Sequence, residues 1–149
     1  MEDPSDAANA LRARLGHTFQ DPARLTQALT HPSYANEHPS EPDNEALAFL
    51  GDAVLALIVA EHLWTLTPTA RVGVLTPGRA DLVSGANLAR WAEQLELGHW
   101  LRLGRGERLT GGQAKESVLA TALEAVIGVV YLEGGLPAAR QAIIRLARW

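Results

Sequence analysis

Two long stretches of this chain are apolar on almost every side, and each holds a carboxylate in its middle. The first opens Asn44-Glu45-Ala46-Leu47-Ala48-Phe49-Leu50-Gly51-Asp52-Ala53-Val54-Leu55; the second spans residues 118–132, where Glu124 is the lone acid. A helix without a polar face belongs in a protein interior. An ionised group there is costly unless it meets a partner or a metal. The economical arrangement puts Asp52 and Glu124 opposite each other across a shared site, which points to metal chemistry. Gly51 costs about 1 kcal/mol against Ala in a helix, so it should mark the close approach of another backbone or helix.

The rest of the chain also reads as helix and turn. A short amphipathic helix is predicted from Asp6 to about Leu15. Asp21-Pro22 is a cap followed by Pro at the first helical position, opening a helix through Leu25 and Leu29. Residues 31–42 read as a loop, in which His31 suits a capping or packing role. Asp43 or Asn44 then caps the first apolar helix, which runs to about Trp64. After a second loop over 65–73, Thr76-Pro77 repeats the start signal for a helix to about Leu97. Leu82, Ala86, Ala89 and Leu95 keep its helical spacing. A Gly-rich loop over 99–113 leads to the second apolar helix, from about Ala114. Gly134-Gly135 end it, and a last amphipathic helix follows from Leu136 to Trp149. Neither strands nor repeats nor a linker stand out, so the expectation is an all-α fold with one domain over 1–149.

Composition narrows the function classes. With 149 residues, 47% hydrophobic and 20% charged, the chain can bury a proper core and is not disordered. It has no cysteine, which excludes disulfides and thiolate metal sites. No two of its five histidines stand three or four apart, which argues against zinc. The first six residues lack the features of a signal peptide, and Asp, Glu or Gly interrupts each apolar run. A soluble, cytoplasmic protein with no membrane partner is expected. Net charge is −4, which disfavours a broad grip on phosphates. Arg102, Arg105, Arg108 and Lys115 form the best local basic cluster, which reads either as a solvated loop or as a phosphate contact. The four tryptophans read as packing residues.

Residues 44–55 resemble the signature segment of the ribonuclease III family, Mg²⁺-dependent endonucleases of double-stranded RNA. The likeness extends in order through His31-Pro32-Ser33-Tyr34-Ala35-Asn36-Glu37 upstream and Arg79-Ala80-Asp81-Leu82-Val83 with Asn87-Leu88-Ala89 downstream. It continues through 101–107, Gly111-Gly112 and Glu116-Ser117-Val118-Leu119-Ala120 into Glu124-Ala125 with Ile127-Gly128. The resemblance implies a homodimeric helical endonuclease domain that processes double-stranded RNA with Mg²⁺ or Mn²⁺. It also implies that Phe49 lies at the dimer interface, and it tips the basic cluster towards RNA contact. No separate double-stranded-RNA-binding module is expected within the chain, leaving recognition to shape and backbone contacts.

The resemblance implies four metal-binding carboxylates, two on each apolar helix. Here Asp52 and Glu124 stand at two of the positions, while Ala48 replaces a Glu and Thr121 an Asp. A further acidic position of the family reads Val72. Residues three or four apart share a helix face, so positions 48 and 52, and 121 and 124, would each have offered a pair. Asp52 and Glu124 could still hold one ion weakly, helped by the Thr121 hydroxyl or by Glu45. Glu45 also reads as a first-turn acid that favours the helix N-terminus. Two-metal hydrolysis with half the charge removed is much less plausible. Three functions follow: a ribonuclease III-like protein of weak or lost activity, a competent endoribonuclease, or a non-catalytic dimer that binds structured RNA or a ribonucleoprotein.

Overall fold

Asp-Pro pairs start the first two helices. In a computed structural model that describes residues 3–149, Asp3 caps α1 (Pro4–Leu15), accepting from the Ser5 N–H at 2.9 Å. Asp21 caps α2 (Pro22–Ala28), accepting from the Arg24 N–H at 3.3 Å. Pro at the first helical position forfeits nothing, because that N–H has no intrahelical partner. His31 does the same for α3 (Pro32–Glu37), its Nδ1 accepting from the Ser33 N–H at 3.1 Å. The loop expected over 31–42 therefore contains a short helix, started by the same cap-then-Pro signal.

The signature helix is α4 (Glu45–Leu66). Asn44 is its N-cap residue; the Asp43 side chain before it accepts from the Glu45 N–H at 3.0 Å, while the buried Asn44 side chain donates to the Ala28 carbonyl at 3.2 Å. The single helix expected from Thr76 to Leu97 is two. α5 (Val72–Leu82) begins earlier and carries Pro77 inside it; α6 (Gly85–Gln94) follows. Ser84 makes the break by accepting from the Asn87 N–H, and the Asn87 side chain donates back to the Leu82 carbonyl. Pro77 and Gly78 inside α5 cost about 3 and about 1 kcal/mol against Ala. None of its residues is buried.

Residues 99–113, expected as loop, hold the end of α7 (Leu97–Trp100), α8 (Arg105–Leu109) and the start of a 3₁₀ turn, Gly112–Ala114. The stretch is anchored by a parallel bridge. The Arg102 N–H donates to the Leu29 carbonyl at 2.8 Å and the His31 N–H to the Arg102 carbonyl at 3.0 Å. Among the described residues there is no strand. The final helix, α9 (Glu116–Ala147), is kinked at Gly135, whose φ of 70° suits a residue without Cβ, and Pro137 follows.

The core lies where α4 crosses α9, with α1, α2 and α6 packed around α9. Leu123, Ile127, Val126 and Val129 of α9 and Leu55, Ile58 and Val59 of α4 are all essentially shielded from solvent. α9 is the interior helix that its composition predicts; α4 is not. One of its sides buries Leu47, Ala48, Gly51, Val54 and Leu55, but the other presents Phe49, Asp52, Ala53 and Leu57 to solvent. Both helices are long and apolar enough to cross a membrane by length and composition, a test that core helices also pass. The tryptophans divide: Trp91 is buried, Trp149 stacks on His62 at 3.5 Å between ring centres, and Trp64 is 63% exposed rather than packed.

Candidate functional site

The site is built by glycine. A Cβ on Gly51 would sit 1.7 Å from the Glu124 carbonyl oxygen, and one on Gly128 would sit 2.5 Å from that of Leu47. Main chain therefore meets main chain where α4 and α9 cross, which is the close approach that Gly51 signals. The crossing places Asp52, the next residue on α4, beside Glu124 on α9. Their carboxyls are within hydrogen-bonding reach.

Glu124 is half-buried, and its carboxyl is pushed up to about 8. Burial is the larger cause; the hydrogen bond with Asp52 and its negative charge add to it. At neutral pH Glu124 is therefore mostly protonated. Asp52 lies on the exposed side of α4, so the pair spans the boundary between core and solvent rather than lying wholly inside.

The neighbouring positions are poor in oxygen. Ala48 is buried at 7% exposure and brings a methyl group. The Thr121 hydroxyl donates to the Ser117 carbonyl at 2.9 Å, which uses its proton within the helix. Glu45 is exposed and lies two helical turns before Asp52, about 10 Å along the axis. Among the described residues no cluster of three or more Asp, Glu, His or Cys could hold a metal. A pair of divalent ions bridged by carboxylates does not fit this donor set. What the geometry offers is a pair of carboxyl groups at a solvent boundary.

The basic residues are held in different ways. Arg102 pairs with Glu41 at 3.4 Å, and its guanidinium lies 4.2 Å from the centre of the Tyr34 ring, leaving its side chain 12% exposed. Arg108 is exposed and donates to the Leu101 carbonyl at 2.8 Å; Lys115 is tied to Glu107 at 2.8 Å. Arg105 is exposed at the start of α8. Two residues not expected to matter seat that helix. The Ser33 Oγ accepts from the Gly104 N–H at 2.8 Å, and Glu37 Oε1 accepts from the Arg105 N–H at 3.0 Å. Both lie in the segment 31–37, where the resemblance could have drawn attention to them. Phe49 is 82% exposed, so it is no ordinary core residue.

Comparison with known proteins places the chain in a family and identifies its fold. A family model described as Ribonuclease-III-like matches residues 21–148. Ribonuclease 3 of Heliobacterium modesticaldum is 51% identical over 138 residues, covering 91% of this chain and 59% of that protein. Ribonuclease 3 of Chlamydia trachomatis serovar D is 49% identical over 138 residues, covering 92% and 60%. The chain thus spans about three-fifths of the length of these curated relatives. The crystal structure of the nuclease domain of ribonuclease III from Campylobacter jejuni superposes with a TM-score of 0.86 at 38% identity, covering 93% of this chain and 91% of that one. A second structure of that domain, described by flexibility in its region involved in dimer formation, gives 0.86 at 39%, covering 92% and 93%.

Proposed function

This chain belongs to the ribonuclease III-like family, and we propose on that footing that it acts on double-stranded RNA as a homodimer with an incomplete hydrolytic centre. The observation that carries the reading is the pair of emptied positions. Members of this family generally use a divalent metal, yet Asp52 and Glu124 stand here without acids at 48 and 121. Glu124 keeps its proton at neutral pH, held up by burial first and by Asp52 second. Mg²⁺ or Mn²⁺ would have to displace that proton and would gain two carboxylates at most, so binding is weak and cleavage slow or lost.

RNA contact falls to Arg105 and Arg108 on α8, whose exposure suits phosphate oxygens. Arg102 and Lys115 are already engaged by Glu41 and Glu107. The dimer forms through the exposed side of α4, with Phe49 entering the second copy. Its small neighbours Ala46 and Ala53 permit close packing. A cytoplasmic site of action accords with a chain free of cysteine.

The test uses long duplex RNA with Mg²⁺ or Mn²⁺ and compares the parent with the Ala48→Glu/Thr121→Asp double variant. Binding by both with cleavage confined to the double variant is the expected result. Efficient cleavage by the parent, abolished by Asp52→Asn, would establish instead the competent enzyme that 51% identity to a Ribonuclease 3 favours. Absence of binding by either protein would end both RNA readings.

A further inference from the structure

The strip of apolar surface on α4 does not stop at Phe49. It continues through Ala53 and Leu57 (46% exposed) to Trp64 (63%), a run of about 22 Å along the axis. Leu66 (64%) ends the helix, and Val72 (75%) and Val74 (63%) of α5 prolong the apolar character beyond the turn. Isolated exposed apolar residues are ordinary, but a continuous run of this size marks a surface that something covers.

α5 supplies the second observation. It is an 11-residue helix with no buried residue and no side-chain cap at Arg71, and Pro77 stands inside it. Its footing on the core is slight: the Gly78 backbone passes the Leu63 side chain, where a Cβ would be 3.4 Å from Cδ1. Short helices of poor propensity are held by the tertiary contacts of an apolar face. Here Leu75 and Leu82 are only half-buried and give a partial footing, while Val72 and Val74 are exposed, away from the chain's own core.

We propose that a second copy of this chain covers the face from Phe49 through Trp64 to Val72 and Val74, and that α5 keeps its helical form only while that copy is in place. The proposal rests on the dimer reading above and extends it from the Phe49 contact to a folding event. The occupant is a second copy because the patch is continuous with the Phe49 strip. A two-fold interface uses the same surface on both partners, so one helix face can cover its equivalent.

Hydrogen exchange on the whole chain tests this at concentrations above and below the dimer dissociation constant found by sedimentation. Backbone amides of 72–82 should lose at least tenfold in protection on dissociation, with α6 and the first half of α9 unchanged. Phe49→Glu, a change at an exposed position, should give the same pattern at all concentrations. Val72→Ser/Val74→Ser should raise the dissociation constant at least tenfold while leaving the monomer's α6 and α9 protected. Equal α5 protection in dimer and monomer, or an unaltered dissociation constant in the double variant, overturns the coupling and leaves the dimer intact. Sedimentation of the parent as a monomer throughout overturns the dimer and the coupling together.

Discussion

Glu124 keeps its proton well above the usual carboxylate range because burial and Asp52 both oppose its charge. The consequence for stability has a definite sign. Between the ordinary value of 4.5 and about 8 the folded chain binds more protons than the unfolded one, so stability falls as pH rises through that window. Below it the loss is absent; above it the loss is complete. Glu124→Gln should flatten the dependence, and urea unfolding from pH 4 to 9 would show it; parallel curves for the two proteins would refute it. Gly51→Ala should destabilise by roughly 3 kcal/mol or more, since its Cβ meets main chain that cannot swing aside. Gly106→Ala, with nothing within 4 Å, is the neutral control. The meeting of Asp52 with Glu124 was legible in sequence because a lone acid in an apolar helix calls for a partner. The exposure of Asp52 was not, because an apolar composition cannot say which side of a helix a second molecule will cover.

Helix boundaries were legible where a side chain caps and Pro follows, at Asp21-Pro22 above all. They were misread where two signals competed. Thr76-Pro77 looks like a start, yet α5 begins at Val72 and tolerates Pro77 inside, while the break at Ser84 depends on two bonds that Asn87 donates, to the Ser84 hydroxyl and to the Leu82 carbonyl. The short helices at 97–109 escaped because a few residues carry no periodicity. Their position depends on distant partners such as Ser33 and Glu37. The end of α9's first segment is held from afar in the same way. Glu133 accepts from His17 Nε2 at 2.8 Å, from the Gln20 N–H at 3.1 Å and from the Asp21 N–H at 2.9 Å, with its side chain 8% exposed. Glu133→Ala strands all three donors and should cost about 2–4 kcal/mol in chemical denaturation. An effect below 0.5 kcal/mol would show that the N-terminal helices hold α9 by apolar packing alone.

At the level of the molecule, a net charge of −4 makes any grip on RNA local. If α8 carries it, Arg105→Ala should weaken duplex binding across sequences and reduce the slope of log affinity against log salt by about 1. Filter binding over a salt series would measure it, and an unchanged slope would move the contact elsewhere. Lys115→Ala should do less, because Glu107 already neutralises that ammonium. The all-α class was plain from periodicity, whereas the arrangement of α4, α5 and α6 depended on contacts that no single segment encodes.

Main chain, rather than side chain, fixes the spacing of α4 and α9 at Gly51 and Gly128. Positions 48 and 121 therefore do not set that spacing. Under the proposed function, Ala48→Glu with Thr121→Asp should alter the chemistry without rebuilding the frame that carries it.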